Sequence, residues 1–259
     1  VVVDDGYPSD EPSAWVASLA DERVEYHRNS TNLGANANYR RALGFATAPW
    51  LVVMGADDVM RPNYLRLVLD ATERYPVDVI QPGVEVIGSE GQVYLPLPDR
   101  VKGWYAPRLH DGAAVLSGEA LARSLLRADW AYFPSLAWRT ETVQRIGFRT
   151  GLHVVQDLAL LLDIAAEGGS LLVLDEIAFG YRRHAGSDSS VKATTGARFD
   201  EERSFFRDSA ERFAALGWGR AARVARWHLS SRLNAVTLLP VAARARGGAV
   251  RNLLRHIFG

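Results

Sequence analysis

The sequence predicts an α/β protein in which helices cover both faces of a mostly parallel central sheet. Short runs that are apolar throughout alternate with helical patterns along the first third of the chain, and each run ends in turn-forming residues. The composition agrees, since 48% apolar and 23% charged residues in a chain of 259 are ordinary globular values and exclude disordered and fibrous classes. The absence of cysteine excludes a disulfide scaffold and a thiolate metal site, and it fits a reducing compartment.

The first part of the chain predicts four strands with helices between them. Trp50–Met54 is the clearest buried strand, because all five of its residues are apolar. Helices are expected near Ser13, which we place as a cap, after Gly34, and at Pro62, which suits the first turn of a helix. The predicted strands are Val1–Asp5, Val24–His27, Trp50–Met54 and Asp78–Gln81.

The pattern changes after about residue 82. Val84–Ile87 and Val93–Leu97 flank the turn residues Gly88–Gly91 and predict a small β-hairpin. Asp157–Glu167 is a strongly apolar helix that two glycines end. The other predicted elements are helices at Ser117–Leu126 and Thr140–Ile146, strands at Pro134–Trp138, Leu171–Leu174 and Ile177–Arg182, and helices from about Phe199 to the end of the chain.

The formal net charge of zero hides an uneven distribution. Residues 1–100 carry 15 acidic and eight basic side chains, whereas residues 212–259 carry nine arginines and no acidic residue. We therefore predict a domain over residues 1–195 and a basic helical C-terminal extension over residues 196–259. Such a segment is typical of contact with an anionic membrane surface or nucleic acid. We expect the membrane surface and no nucleic acid; a solvated helix face rich in arginine is the alternative.

The end of this extension predicts a basic amphipathic helix. Its apolar residues have the i, i+3, i+4, i+7 spacing of one helix face: Val250, Leu253, Leu254 and Ile257. Such a helix suits an anionic bilayer surface, and the same pattern serves a helix packed on the rest of the protein or on a second subunit. The sequence contains no run of 18 apolar residues, so it predicts no membrane-spanning helix. The expected location is cytoplasmic, peripheral to the inner face of the plasma membrane, and the sequence indicates no oligomeric state.

Two pairs of adjacent carboxylates stand where predicted strands end. Asp4-Asp5 closes the first strand, and Asp57-Asp58 follows Trp50–Met54. The carboxyl ends of parallel strands form the ligand-binding edge of an open α/β sheet. Each pair alone is also an ordinary loop pattern. Together they predict a site for a divalent cation, Mg²⁺ or Mn²⁺, and a phosphate-bearing ligand.

Five segments extend this pattern over roughly residues 1–190. In chain order they are Val1–Asp10, Asn32–Leu43, Leu51–Asp58 with Pro62, Gln156-Asp157, and Tyr181–His184 with Ser187 and Ser190. Their order and spacing resemble the conserved segments of family 2 glycosyltransferases, which have the GT-A fold, a Rossmann-like architecture. The third segment is similar to the metal-binding D-X-D region of that family. The fourth resembles the acidic pair that supplies the catalytic base in inverting members.

The resemblance implies an inverting, metal-dependent hexosyl- or deoxyhexosyltransferase. A nucleoside-diphosphate sugar would lie across the strand ends, with Asp5 at the nucleoside and Asp57 at the diphosphate. The second segment would add Asn32, Gly34 and Arg40 to the donor site. For Arg40, a surface position on its helix is the alternative. The acceptor implied is a saccharide or a lipid-linked intermediate of cell-envelope polysaccharide synthesis.

The resemblance also assigns the metal and the base. Asp57 would hold the cation that bridges the two phosphates, with Asp58 as an alternative or outer ligand. His184 is a further candidate ligand, and a structural histidine is the alternative for it. Asp157 would take the proton from the acceptor hydroxyl as that oxygen attacks the anomeric carbon.

The chain departs from the family pattern in three places. Gly55 stands where the first aspartate of D-X-D is expected, and Gln156 replaces the acidic residue before the base. The first βα unit of the fold is expected upstream of Val1. These departures leave an alternative function, a glycosyltransferase-like domain that binds a glycan or a partner without catalysis. A dinucleotide-binding oxidoreductase is disfavoured, because no G-x-G-x-x-G follows a predicted strand.

Overall fold

The computed structural model describes residues 1–183, 197–244 and 249–258. The strands in these ranges are β1 (Val2–Asp4), β2 (Tyr26–Arg28), β3 (Trp50–Val52), β4 (Val59–Met60), β5 (Val79–Ile87), β6 (Ala113–Ser117), β7 (Ala137–Arg139) and β8 (Ser170–Arg182). The helices are α1 (Glu11–Ser18), α2 (Ala35–Leu43), α3 (Tyr64–Arg74), α4 (Leu97–Tyr105), α5 (Gly118–Ala128), α6 (Thr140–Ile146), α7 (Gln156–Ala166), α8 (Ala197–Ala215), α9 (Gly219–Trp227), α10 (Leu229–Arg244) and α11 (Ala249–Phe258).

A six-stranded mixed sheet is the centre of the fold. Its order is β3-β7-β5-β8-β4, and β6 also pairs with β8; β1 and β2 form a separate parallel pair. The predicted α/β class with flanking helices is confirmed. The prediction of a mostly parallel sheet is corrected, because in the six-stranded sheet the described parallel pairing is β5 with β8, and the other pairs are antiparallel. An apolar run indicates a buried strand but carries no signal for the direction of its neighbour.

The predicted β-hairpin is a turn closed by one bridge. Gly88 N–H donates to Gln92 O at 2.9 Å, and a single antiparallel bridge joins Ile87 to Val93. The chain then enters α4, where Pro98 lies in the first turn. Proline has the helical φ there and lacks only an N–H group that the first turn leaves unpaired. Therefore the second arm of the predicted hairpin continues into a helix instead of a strand.

Helix α7 runs through the larger hydrophobic core. Its residues Leu158–Ala165 are all buried, which explains the strongly apolar pattern of this segment. The C-terminal helices share this core through Phe205, Phe206 and Phe213 of α8 and Ala221, Ala222 and Ala225 of α9. The boundary predicted between residues 195 and 196 lies outside the described residues, so the division into two domains stays a prediction. No helix among the described residues is long and apolar enough to cross a membrane.

The apolar side of α11 faces other helices. Leu253 is buried together with Phe199 of α8 and Ala235 of α10, and Val250 and Ile257 pack against this cluster. Three of the four residues of the face predicted for a bilayer are therefore covered by protein, whereas Leu254 is exposed. Of the two interpretations of the amphipathic pattern, the structure supports a helix packed on the rest of the chain. Contact between the extension and a membrane surface stays a prediction.

Two buried histidines lie where α8, α10 and α11 meet. His228 stacks on Phe206 with ring centroids 5.0 Å apart, and its Nε2 accepts a hydrogen bond from Arg232 Nε at 3.2 Å. Burial, assisted by the charge of Arg232, lowers the pKa of His228 to about 4. Burial also lowers the pKa of His256. Both imidazoles are therefore neutral at pH 7.

We expect the free energy of unfolding to fall as the pH is lowered from about 6.5 to 4. In this range the unfolded chain protonates His228 and the folded chain does not, so acid favours unfolding, by about 3 kcal/mol for this residue. Urea unfolding of the wild type and His228→Asn at both pH values measures the effect. Asparagine tolerates the left-handed backbone at this position, where φ is 30°. Equal losses of stability in the two proteins would contradict the prediction.

Candidate active site at the strand ends

The loop before α2 is organised around the carboxylate of Asp5. Its oxygens accept hydrogen bonds from Asn29 Nδ2, Leu33 N and Gly34 N, each at 2.8 Å. Gly34 has a φ of 81°, which glycine adopts without steric cost, and its N–H also reaches Asn32 Oδ1 at 3.1 Å. Because β1 and β2 pair in parallel, Asp5 and this loop meet at one end of the pair. The predicted donor residues Asp5, Asn32 and Gly34 are thus brought together.

Asp4 has a different role from Asp5. It is buried and accepts hydrogen bonds from the Tyr26 hydroxyl and from Tyr7 N, the latter at 2.7 Å. The Tyr26 hydroxyl above all, with help from Tyr7 N–H and the charge of Arg28, holds the pKa of Asp4 below its usual range. Asp4 therefore remains ionised and fixes the backbone, whereas Asp5 lies nearer the surface.

Arg40 does not join the group around Asp5. It lies in the last turn of α2, its side chain is exposed, and it makes no hydrogen bond within the described ranges. A helix rises about 1.5 Å per residue, so Arg40 is roughly 9 Å along the axis from Gly34. This position agrees with the alternative of a surface arginine, and its role at a diphosphate stays a prediction.

The turn after β3 brings Asp57 and Asp58 together above Gly55. A Cβ atom on Gly55 would lie 2.8 Å from Asp58 Oδ2 and 3.1 Å from Asp57 Oδ1. The two carboxylates therefore converge on one point, which a side chain at Gly55 would occupy. The departure from the D-X-D pattern has a steric reason in this chain.

Arg182, the last residue of β8, holds this turn in place. Its N–H donates to Asp58 Oδ1 at 2.8 Å, and its Nε donates to Asp57 O at 2.6 Å. Its Nη1 also reaches Gly88 O at 2.6 Å. The turn after β3 is therefore tied to the turn after β5. Sequence reasoning noted the segment around Arg182 and assigned this residue no role.

The convergent carboxylates of Asp57 and Asp58 fit a divalent cation. Burial raises the pKa of Asp58 to about 6, with the neighbouring charge of Asp57 acting in the same direction and the Arg182 N–H opposing it. A cation relieves this cost, and Mg²⁺ and Mn²⁺ combine carboxylates with phosphate oxygens and water. Among the described residues no group of three potential metal ligands occurs. His184, predicted as a further ligand, lies outside these residues.

Asp157 lies in the first turn of α7, where its Oδ1 accepts a hydrogen bond from Leu158 N at 2.9 Å. Burial raises the pKa of Asp157, against the opposing charge of Lys102. Asp129 titrates with it, since burial and then the charge of Asp157 raise the pKa of Asp129 to about 7. A carboxylate whose pKa is raised by burial and that interacts with a second carboxylate suits general-base chemistry. The sequence contained no sign of Asp129.

The pKa of Tyr181 responds to both carboxylate sites. Burial raises the pKa of Tyr181; the charge of Arg183 opposes this, and the charges of Asp58 and Asp157 add to it. Both carboxylates therefore act electrostatically on the same side chain. We therefore expect the metal-type pair and the candidate base to face one cleft.

A polar cluster beside Tyr181 was also missed by sequence reasoning. Asp99 of α4 is 2% exposed, accepts a hydrogen bond from the Tyr132 hydroxyl at 3.0 Å and forms an ion pair with Arg183 at 2.7 Å. Lys102 Nζ lies 5.0 Å from the ring centroid of Tyr132. The sequence around Asp99 has no recognisable motif. The one sequence signal for this cluster was therefore Arg183, which lies in the Tyr181–His184 segment.

The α/β fold with carboxylates at the strand ends is that of the GT-A class of glycosyltransferases. The chain belongs to glycosyl transferase family 2, because the sequence model of that family matches residues 1–130. The match includes the Asp5 loop, the Asp57-Asp58 turn and Asp129, and it ends before Asp157.

Similar proteins agree with this family. The succinoglycan biosynthesis protein ExoO of Rhizobium meliloti (strain 1021) is 26% identical over 192 residues, which are 74% of this chain and 54% of ExoO. The chain therefore spans about half the length of this curated relative. Crystal structures of S. aureus TarS 1-349 with UDP-GlcNAc and with UDP have TM-scores of 0.56 and 0.55. Each is 14% identical and covers 99% of this chain and 80% of that chain, which shows a shared fold.

Proposed function

We propose that this chain is an inverting, metal-dependent glycosyltransferase that takes a hexosyl or deoxyhexosyl group from a nucleoside-diphosphate sugar. The observation that carries the proposal is the convergence of the Asp57 and Asp58 carboxylates above Gly55, in a turn that Arg182 of β8 holds in place. A single displacement needs a site for the departing diphosphate and a base for the incoming hydroxyl at one cleft. We assign the first need to Asp57 and Asp58 and the second to Asp157.

The loop around Asp5 is the proposed nucleoside site. Its shape is set before any ligand binds, because the carboxylate of Asp5 already bonds Leu33 N and Gly34 N. A preformed loop avoids the entropy cost of ordering on binding. Complexes of TarS with UDP-GlcNAc and with UDP support a nucleotide-sugar donor for a chain with the same fold.

Asp57 and Asp58 are the residues that would hold Mg²⁺ or Mn²⁺, with His184 as a further candidate. When bound, the cation supplies Lewis-acid neutralisation of the charge on the diphosphate. The contribution of the chain is positional: Arg182 holds the turn through Asp57 O and Asp58 Oδ1. Gly55 leaves the space in which the carboxylates converge.

Asp157 is the proposed general base. It would take the proton from the acceptor hydroxyl as that oxygen forms the new bond to the anomeric carbon, and the nucleoside diphosphate would leave with the electron pair of the old bond from the opposite face. This sequence inverts the anomeric centre. Burial raises the pKa of Asp157, which brings the base nearer to the pH at which it works and favours proton transfer.

The proposed acceptor is a saccharide or a lipid-linked intermediate of cell-envelope polysaccharide synthesis. The name of ExoO places that relative in succinoglycan biosynthesis. The charge of Lys102 acts on Asp157, and Lys102 Nζ lies 5.0 Å from the ring centroid of Tyr132. An aromatic face and a cationic donor are groups that suit a sugar acceptor. The nine arginines of residues 212–259 support a cytoplasmic position at the inner face of the plasma membrane.

A transfer assay tests the proposal. The chain is incubated with Mn²⁺ and a panel of UDP-, GDP- and dTDP-sugars, with and without saccharide acceptors, and released nucleoside diphosphate is measured. We expect release that requires both metal and acceptor, and NMR of the product should show the inverted anomer. A retained anomer would contradict the single displacement. A folded chain with neither turnover nor metal-dependent nucleotide binding in calorimetry would overturn the proposal in favour of a non-catalytic binding domain.

A further inference from the structure

A cavity lies among the C-terminal helices α8, α9 and α10. Its volume is about 540 Å³, which is the size of a small-molecule site. Its lining is rich in guanidinium groups. The charged residues around it are Arg203, Arg207, Arg226, Arg232, Asp200 and Glu211.

The positive charge of this cavity is only partly neutralised. Arg203 Nη2 donates to Asp200 Oδ1 at 2.5 Å. In this pair one guanidinium of the lining is neutralised by a carboxylate of the lining. Arg207 pairs with the exposed Asp208 at 3.2 Å, and such a surface pair is weak. Arg226 forms no ion pair within the residues that the structure describes. The cavity therefore retains a positive potential.

Arg232 is held in place by partners without negative charge. Its Nε donates to His228 Nε2 and its Nη1 to Ile257 O, both at 3.2 Å. His228 is 5% exposed, and its Nδ1 bonds Ala225 O at 3.2 Å, so Nε2 is the acceptor nitrogen. These bonds orient the guanidinium and leave its charge intact. A ligand would therefore meet an arginine that is already ordered.

We propose that this cavity binds a phosphate- or diphosphate-bearing ligand at a site separate from the strand-end cleft. Guanidinium groups bind phosphate oxygens in pairs, and several around one cavity suit a multiply charged anion. The volume exceeds that of one phosphate group and leaves room for a substituent. Two kinds of ligand carry such a phosphate group: a soluble phosphate ester and a lipid with a phosphate headgroup. The proposal does not depend on the transferase activity.

Calorimetry with inorganic diphosphate tests the site. EDTA is present, so that the proposed metal-dependent donor site makes no contribution. The wild type is compared with the double variant Arg207→Gln/Arg226→Gln, whose two side chains are exposed, and with Arg220→Gln, which removes an exposed arginine of α9 outside the lining. We expect wild-type binding that weakens with salt, a loss of about tenfold or more in the double variant, and a change of less than about twofold in the control.

Two further probes identify the ligand chemistry and its source. Malonate tests a dicarboxylate, and affinity equal to that of diphosphate would overturn the assignment to phosphate. Sedimentation with phosphatidylcholine vesicles, with and without phosphatidic acid, tests a lipid phosphate. Binding of both diphosphate and phosphatidic-acid vesicles, reduced in the double variant, supports a lipid source, whereas diphosphate binding alone supports a soluble one. No binding to either probe, or an equal loss in Arg220→Gln, would overturn the proposal; circular dichroism confirms that the variants are folded.

Discussion

The Asp157→Asn variant is expected to lose about 10³-fold in kcat while its affinity for the nucleoside-diphosphate donor changes little. A positioned general base contributes roughly 10²- to 10⁴-fold to a rate, and an amide cannot take the proton. Asparagine has nearly the same volume, and its oxygen still accepts the hydrogen bond that Asp157 Oδ1 receives from Leu158 N. Donor affinity by calorimetry and kcat by product release measure the two effects separately.

Asp163→Asn is the matched control for this variant. Asp163 lies on the same helix, is buried, and pairs with Arg149 at 2.6 Å and with Arg212 of α8. Its replacement should lower the unfolding temperature and leave kcat of the folded protein within a few-fold. For the wild type, kcat/KM should fall on acidification, because burial raises the pKa of Asp157 and the protonated carboxyl cannot act as the base. Loss of donor binding in Asp157→Asn, or an unchanged kcat, would contradict the role of the base.

The sequence predicted the positions of most elements because their signals are local. Thr140–Ile146 was predicted as a helix and is α6, and the apolar run Trp50–Met54 contains β3. β4 was missed, because its two residues are too few to show a period. β6 was not predicted as a strand either. The pairing direction of β7 was missed for another reason: the apolar pattern of a strand is the same beside a parallel or an antiparallel neighbour.

The residues of the candidate site that lie in short sequence segments were predicted, and those that meet only in the folded chain were not. Asp5 and Gly34 belong to consecutive strand–loop units, and their segments carry family motifs. The residues that position the site come from far along the chain: Arg182 and Asp58 are 124 residues apart, and Arg183 and Asp99 are 84 apart. No spacing rule links such pairs, since the fold alone brings them together. The pattern of α11 left its interpretation open for a similar reason, because an apolar helix face fits a bilayer and a protein core equally well.

The Asp57→Asn variant is expected to weaken Mn²⁺-dependent binding of nucleoside diphosphate by about 100-fold or more. Changes in residues around a metal that do not touch it already cost about 10- to 100-fold in metal affinity, and Asp57 is proposed as a direct ligand. The loss should follow from removal of one of the two charges that converge above Gly55. Calorimetric titration of nucleoside diphosphate, with Mn²⁺ and then with EDTA, measures the metal-dependent part.

Gly55→Ala tests the same geometry without removing a charge. The new Cβ would lie 2.8 Å from Asp58 Oδ2, so the carboxylates must separate, and we expect metal-dependent binding to weaken by about tenfold. Ala56→Ser is the control, since Ala56 is an exposed neighbour in the same turn, and it should bind as the wild type does. If both Asp57→Asn and Gly55→Ala bind nucleotide normally with Mn²⁺, the cation is held elsewhere and the metal assignment is wrong. If Gly55→Ala alone binds normally, Asp58 has rotated away without cost, and Asp57 is then the ligand that matters.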